Sequence, residues 1–154
     1  MKALGHLNFI FFIFLILFIP SFCFSQGIDN IMSFVNSPQA MTEWFGKEFT
    51  YQWQMYPDCK TPNEMVISKK GDCDDFALLA SSLLSRMEIP NQVLILKFRG
   101  LKMAHAVCAF KKDDGAYSFI SNKKLFHTGK DNINDAIKKF YPDCEEIVVR
   151  NPAQ

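Results

Sequence analysis

The sequence predicts an α+β domain in which N-terminal helices are followed by an antiparallel sheet. Three observations carry that expectation. Helix-start signals cluster before Pro90, short apolar runs rich in branched residues cluster after it, and Asp113-Asp114-Gly115 supplies a hairpin turn between two of those runs.

The first segment falls outside the domain. Lys2 precedes an apolar run from Phe9 to Ile19, closed by Pro20 and small residues, which is the pattern of a secretory signal. Cys23 and Ser25 occupy the small-residue positions of a cut before Gln26, so residues 1–25 read as a cleaved signal peptide and residues 26–154 as the exported domain, periplasmic or secreted. The apolar run is shorter than the ~20 residues that span a bilayer, so no stable membrane insertion is expected after cleavage. Phe22, directly before Cys23, argues against lipid attachment. What remains suits one hydrophobic core, and no repeat, low-complexity tract or linker divides it.

Within the domain, Ser37-Pro38 places an N-cap before a proline at the first helical position and opens a helix through Phe45 that ends at Gly46. Thr61, Pro62 and Glu64 repeat that arrangement as a capping box, and the helix stops near Gly71. From Asp74 to Met87, the residues Phe76, Leu79, Ala80, Leu83 and Met87 recur at helical spacing until Pro90 closes the run. Beyond it Val93–Phe98, Ala104–Phe110 and Ala116–Ile120 read as strands, the last two joined by the Asp113-Asp114-Gly115 turn. Ile133, Ala136, Ile137 and Phe140 then mark one face of a helix, and Glu145–Arg150 reads as a closing strand.

Charge removes one class of function. The chain carries a formal net charge of +1, and Lys2 is the only charged side chain of the signal, so the mature domain is balanced. Without a basic excess the release of counterions that drives nucleic-acid binding is missing, and no nucleic-acid partner is expected.

Cys59, Cys73, Cys108 and Cys144 remain after cleavage, in a compartment where disulfides persist. Four cysteines permit three full pairings, among which sequence does not choose. Cys59 and Cys144 each close the tetrapeptide Tyr-Pro-Asp-Cys, which reads as an exposed turn, and this makes Cys59–Cys144 a candidate bridge. Cys108, inside an apolar run, reads as a small buried hydrophobe.

Cys73 stands where the Asp74 helix begins. A thiol with an ordinary pKa is mostly protonated at neutral pH, and the unpaired N–H groups of a helix start favour its thiolate and can hold an oxyanion. Asp74 and Asp75 oppose this unless they turn away or hold a cation. His105 heads an apolar strand between Ala104 and Ala106, small neighbours that leave an imidazole reachable. Its face of the strand carries Val107 and Ala109. If the hairpin turn has two residues, either choice of turn puts Asn122 on that same face, where its amide oxygen can accept the imidazole N–H, while Ser121 faces away unless a bulge intervenes.

Gly71-Asp72-Cys73-Asp74-Asp75-Phe76-Ala77, followed by His105-Ala106-Val107 and by Ser121-Asn122, resembles the transglutaminase-like superfamily, in particular its small bacterial cysteine proteinases. The resemblance runs from about Trp53 to Asn122. It implies a papain-like fold, with a cysteine opening a helix, a histidine on a strand and an acid or amide on the next strand; residue by residue these are Cys73, His105 and Asn122. Most of that family has Asp in the third place, whereas papain-like relatives use Asn. The resemblance further implies Gln52 or Trp53 as cleft or oxyanion residues, and Asp72, Asp74 and Asp75 as calcium candidates. No cofactor is otherwise required, and the implied activity is hydrolysis of a peptide or amide bond, or acyl transfer, on a peptide or protein substrate.

Structural readings compete with each of these. Cys73 can be buried or bridged, His105 a core histidine, Asn122 a turn residue, and Asp72, Asp74 and Asp75 a solvated helix start. Trp44, Phe45, Phe49, Tyr51, Trp53 and Tyr56 read mostly as core, and His127 as exposed. A zinc site through Cys73, His105 and another cysteine lacks the paired spacing such sites use. The rival function is a catalytically inactive module of the same fold that binds a peptide or protein in the old cleft; a third reading is a structural protein stapled by disulfides.

Overall fold

The computed structural model describes residues 28–54 and 59–150. The segment read as a signal peptide lies outside them, as do Tyr56 and its neighbours up to Asp58. Among the described residues no helix is long and apolar enough to cross a membrane.

A short helix, α1 (Ile28–Ile31), leads to α2 (Pro38–Glu48), where the Ser37 hydroxyl accepts from Ala40 N–H as the sequence expects of an N-cap. The helix does not stop at Gly46. A glycine ends a helix by turning left-handed, Gly46 has no positive φ, and the chain leaves the helix only at Phe49. After β1 (Thr50–Tyr51) comes α3 (Pro62–Ser68), opened by the full capping box of Thr61 and Glu64. Left-handed Lys69 ends it, two residues before Gly71, and β2 (Lys70–Gly71) pairs in parallel with β1.

The longest helix, α4 (Cys73–Arg86), has Asp72 as its N-cap and buries Phe76, Leu79, Ala80 and Leu83, the spacing read from sequence. Each of those side chains contributes about 1.5–3 kcal/mol if fully removed from water, somewhat less for alanine. They pack with Val93, Ala106, Cys108, Phe110 and Ile120 in one apolar cluster.

Five antiparallel strands form the main sheet: β3 (Asn91–Phe98), β4 (Ala104–Lys111), β5 (Tyr117–Ser121), β6 (Lys124–Lys130) and β7 (Cys144–Arg150), in the order β6-β5-β4-β3-β7. The second face of the sheet, with Leu94, Leu96, Val107, Ala109 and Phe119, is covered by α5 (Ile133–Lys138) through Ile137 and by Tyr141 just beyond it. The architecture is the helices-first, sheet-second α+β domain that the patterning predicts.

Three expectations fail here. Strand β6 has no counterpart in the sequence reading. The β4–β5 hairpin closes with Lys112 N donating to Ala116 O at 2.9 Å and Gly115 at φ 81, a three-residue turn over Asp113, Asp114 and Gly115 rather than a two-residue one. Lastly, among the described residues no bridge joins Cys59 to Cys144, and none involves Cys73 or Cys108. Cys59 sits at the far end of β7 from Cys144, with both terminal nitrogens of the Arg150 guanidinium donating to its sulfur at 3.3 Å. That strand is roughly 20 Å long, far beyond disulfide reach.

Candidate active site

The site is built from a corner and a strand end. Gln52 N–H donates to Gly71 O at 2.8 Å, closing the β1–β2 corner beside Cys73. Gly71 permits that corner to approach the helix, since a Cβ there would lie 2.6 Å from both Asp75 Oδ2 and Met65 Sδ. Asp72 Oδ1 then accepts the Asp74 and Asp75 N–H groups at 3.1 and 3.4 Å, and Asp75 Oδ2 accepts the Asp72 N–H at 3.1 Å. This reciprocal cap fixes Cys73 as the first residue of α4.

Cys73 and His105, far apart in sequence, line one cleft of about 560 Å³. Tyr51, Trp53 and Gln54 contribute from the β1 corner, and Leu101 and Met103 from the β3–β4 loop. Four of these are large, apolar or aromatic, and strongly exposed: Tyr51 45%, Trp53 56%, Leu101 64% and Met103 65%. The aromatic cluster expected in the core therefore divides, with Trp44, Phe45 and Phe49 buried and Tyr51 and Trp53 in the cleft wall. Gln52 is not among the lining residues. Its backbone holds the corner, and its neighbours on either side face the cleft.

The third position also differs. With a three-residue turn, β4 and β5 pair Cys108 with Ile120 and Ala109 with Phe119, one residue out of step with either two-residue turn. A slip of one residue exchanges the faces. Ser121 therefore reaches His105, its Oγ 2.8 Å from Nε2. Tyr141 Oη lies within hydrogen-bond distance of the same Ser121 oxygen, at 2.9 Å. Asn122, expected against His105, occupies the β5–β6 turn at φ 51, and its Oδ1 is buried without a hydrogen-bond partner among the described residues. Neither Ser121 nor Tyr141 was found from sequence as a partner of His105; the signal was the Gly115 that a three-residue Asp-Asp-Gly loop uses. His127 is exposed, as expected.

Burial pushes the Cys73 thiol pKa above its ordinary value, and Asp74 and Asp72 push it further, while the Ala106 backbone N–H pulls it down. Burial holds His105 below its ordinary value. Both shifts favour the neutral pair, thiol and imidazole, over a standing thiolate–imidazolium pair. Sequence reasoning expected the helix start to lower the thiol; half-burial and two carboxylates outweigh it.

The acidic cluster does not fit a calcium ion. Asp75 is 1% exposed, with Oδ1 accepting Lys60 N–H at 2.7 Å and Oδ2 accepting Gln54 Nε2 at 3.1 Å and the Lys60 ammonium at 3.2 Å, beside the Asp72 N–H. Asp72 caps the helix, and Asp74 turns toward Cys59 and Arg150. Calcium takes six to eight convergent oxygens, and here the buried carboxylate is already filled by protein donors. Among the described residues no group of three or more His, Cys, Asp or Glu side chains is placed to hold a metal.

A capped helix opening with cysteine, packed on an antiparallel sheet whose second strand carries a histidine near its start, is the arrangement of a transglutaminase-like fold. The chain belongs to the transglutaminase-like domain family, whose model matches residues 28–140. Among solved structures it is similar to LapG of Legionella pneumophila, with a TM-score of 0.56 at 18% identity over 75% of this chain and 64% of that one. The calcium-bound form of LapG gives 0.55 at 18% identity, over 73% of this chain and 62% of that one. At such identity the likeness concerns the fold, and the chain spans less than two thirds of LapG's length. No curated protein matches the sequence.

Proposed function

We propose that this chain is an exported thiol hydrolase that cleaves a peptide amide bond, with Cys73 as nucleophile and His105 as general base. The observation that carries the reading is the shared cleft: a cysteine at a helix start and a histidine at a strand start line the same cavity. With both shifts favouring the neutral pair, the imidazole takes the thiol proton as sulfur attacks the carbonyl, and returns it to the leaving amine. The cap engages the Asp74 and Asp75 amides, which leaves the Cys73 N–H as the first-turn donor for the developing oxyanion. Water then releases the acyl group. The exposed walls Trp53, Leu101 and Met103 suit a polypeptide with a large apolar side chain near the scissile bond. A LapG structure is calcium-bound, but no step here runs through calcium, because Lys60 and three N–H donors fill Asp75.

The rival reading, a peptide-binding module without catalysis, draws on the same neutral pair: neither group is poised as an ion. Alkylation decides between them. At pH 7, iodoacetamide should label Cys73 about tenfold or more faster in the wild type than in His105→Ala, since a working base is worth at least that much. Equal rates in the two proteins would remove the enzyme reading and leave the binding module.

A further inference from the structure

We infer that Ser121 and Tyr141 together stand in the place of the acid or amide of the triad, as a two-hydroxyl relay that sets which nitrogen of His105 is free. The inference rests on the thiol-hydrolase reading for its purpose, but not for its geometry.

His105 Nε2, Ser121 Oγ and Tyr141 Oη form a continuous chain with steps of 2.8 and 2.9 Å. Its members are fixed from three directions. Ser121 is buried at the end of β5. Tyr141 is held by its backbone N–H to Ile137 O at 2.9 Å, and by ring contacts with Phe98, Phe119 and His105 itself at centroid separations of 6.0, 5.9 and 5.7 Å. This tyrosine belongs to the second Tyr-Pro-Asp-Cys tetrapeptide, whose cysteine makes no bridge. The tyrosine, rather than the cysteine, connects that turn to the site.

A carboxylate can only accept, so it holds one histidine tautomer. A hydroxyl both gives and accepts, and the relay therefore has two senses. When Nε2–H donates to Ser121, and Ser121 O–H donates to Tyr141 Oη, Nδ1 is unprotonated and can take the proton from Cys73. When Tyr141 O–H donates to Ser121, and Ser121 O–H donates to Nε2, the ring proton sits on Nδ1 and the base is blocked. Proton transfer from sulfur to Nδ1 gives an imidazolium whose Nε2–H has only a neutral oxygen to meet, so it is less stabilised than by a carboxylate. That agrees with a histidine held below its ordinary pKa. Tyr141 acts through Ser121 and is a positioning residue.

The test reads His105 directly, by NMR titration of its ring protons in the full chain, alongside Cys73 alkylation by iodoacetamide. Tyr141→Phe keeps the ring contacts and removes the hydroxyl; the His105 pKa should fall by about half a unit and the pH 7 alkylation rate by roughly threefold. Ser121→Asp supplies a charged acceptor and should raise the His105 pKa by about one unit or more, with faster alkylation. A His105 titration unchanged by both variants overturns the relay, whatever the alkylation rates. If the titration moves as stated while His105→Ala leaves alkylation at the wild-type rate, the relay stands and the hydrolase reading fails.

Discussion

Replacing Asp75 by alanine should be the most destabilising single change near the cleft. The carboxylate sits 1% exposed and receives two backbone N–H groups, from Lys60 at 2.7 Å and Asp72 at 3.1 Å, besides Gln54 Nε2 and the Lys60 ammonium. Truncation strands both backbone donors at about 1–3 kcal/mol each. The Lys60 side chain, 26% exposed, can turn to water and adds little. The sum is roughly 2–6 kcal/mol, a large part of the 5–15 kcal/mol that holds such a domain together. Urea denaturation followed by tryptophan fluorescence reads it: with a slope of about 1–3 kcal/mol per molar, the midpoint should drop by roughly 2 M. Asp75→Asn, which keeps one acceptor oxygen but turns an NH₂ toward the remaining donors, should fall between wild type and alanine. A loss below about 1 kcal/mol in the alanine variant would refute the reasoning, because it would mean that the carboxylate does not satisfy those groups.

Gly71→Ala tests the same corner sterically: the new Cβ would meet Asp75 Oδ2 and Met65 Sδ at 2.6 Å, so a loss of about 1–3 kcal/mol in the same denaturation is expected. The pH dependence follows from the direction of two shifts. The base works when neutral, so the rate rises with pH through the His105 pKa, which burial has lowered; the acid limb should therefore lie below the ordinary imidazole range. Asp74→Asn removes a charge that, after burial, raises the Cys73 pKa, so direct thiolate alkylation should begin at lower pH than in the wild type.

Much of this fold was legible because its signals are local. The Thr61–Glu64 box and the Ser37 cap each require only residues within one helical turn, and the apolar spacing of α4 records a face that is in fact buried. Strand β6 escaped because Lys124–Lys130 lies at the sheet edge, where Lys124, His127, Gly129 and Lys130 face solvent and erase the apolar alternation. The site was half legible for a related reason. Cys73 and His105 are announced by their own neighbours, whereas the identity of the third member depends on counting residues in a distant turn. One additional turn residue exchanged Asn122 for Ser121. Tyr141 lies beyond α5 and is brought to Ser121 by packing across the sheet, a contact that no spacing encodes. The surroundings of Asp75 were not legible either, because Lys60, a surface residue by type, reaches its carboxylate from outside the helix-start motif.

The sheet's two outer strands have a consequence for how copies of this domain behave together. An uncovered strand is an invitation to a neighbour's backbone. On one flank β6 carries Lys124 and Lys130, and its pairing slips between Tyr117 and Ser118, so a foreign strand would meet ammonium groups and a broken ladder. On the other flank β7 presents Glu145 and Glu146, whose carboxylates are engaged by Arg99 and Lys97. Crowded molecules thus find neither border inviting to fibre-like stacking.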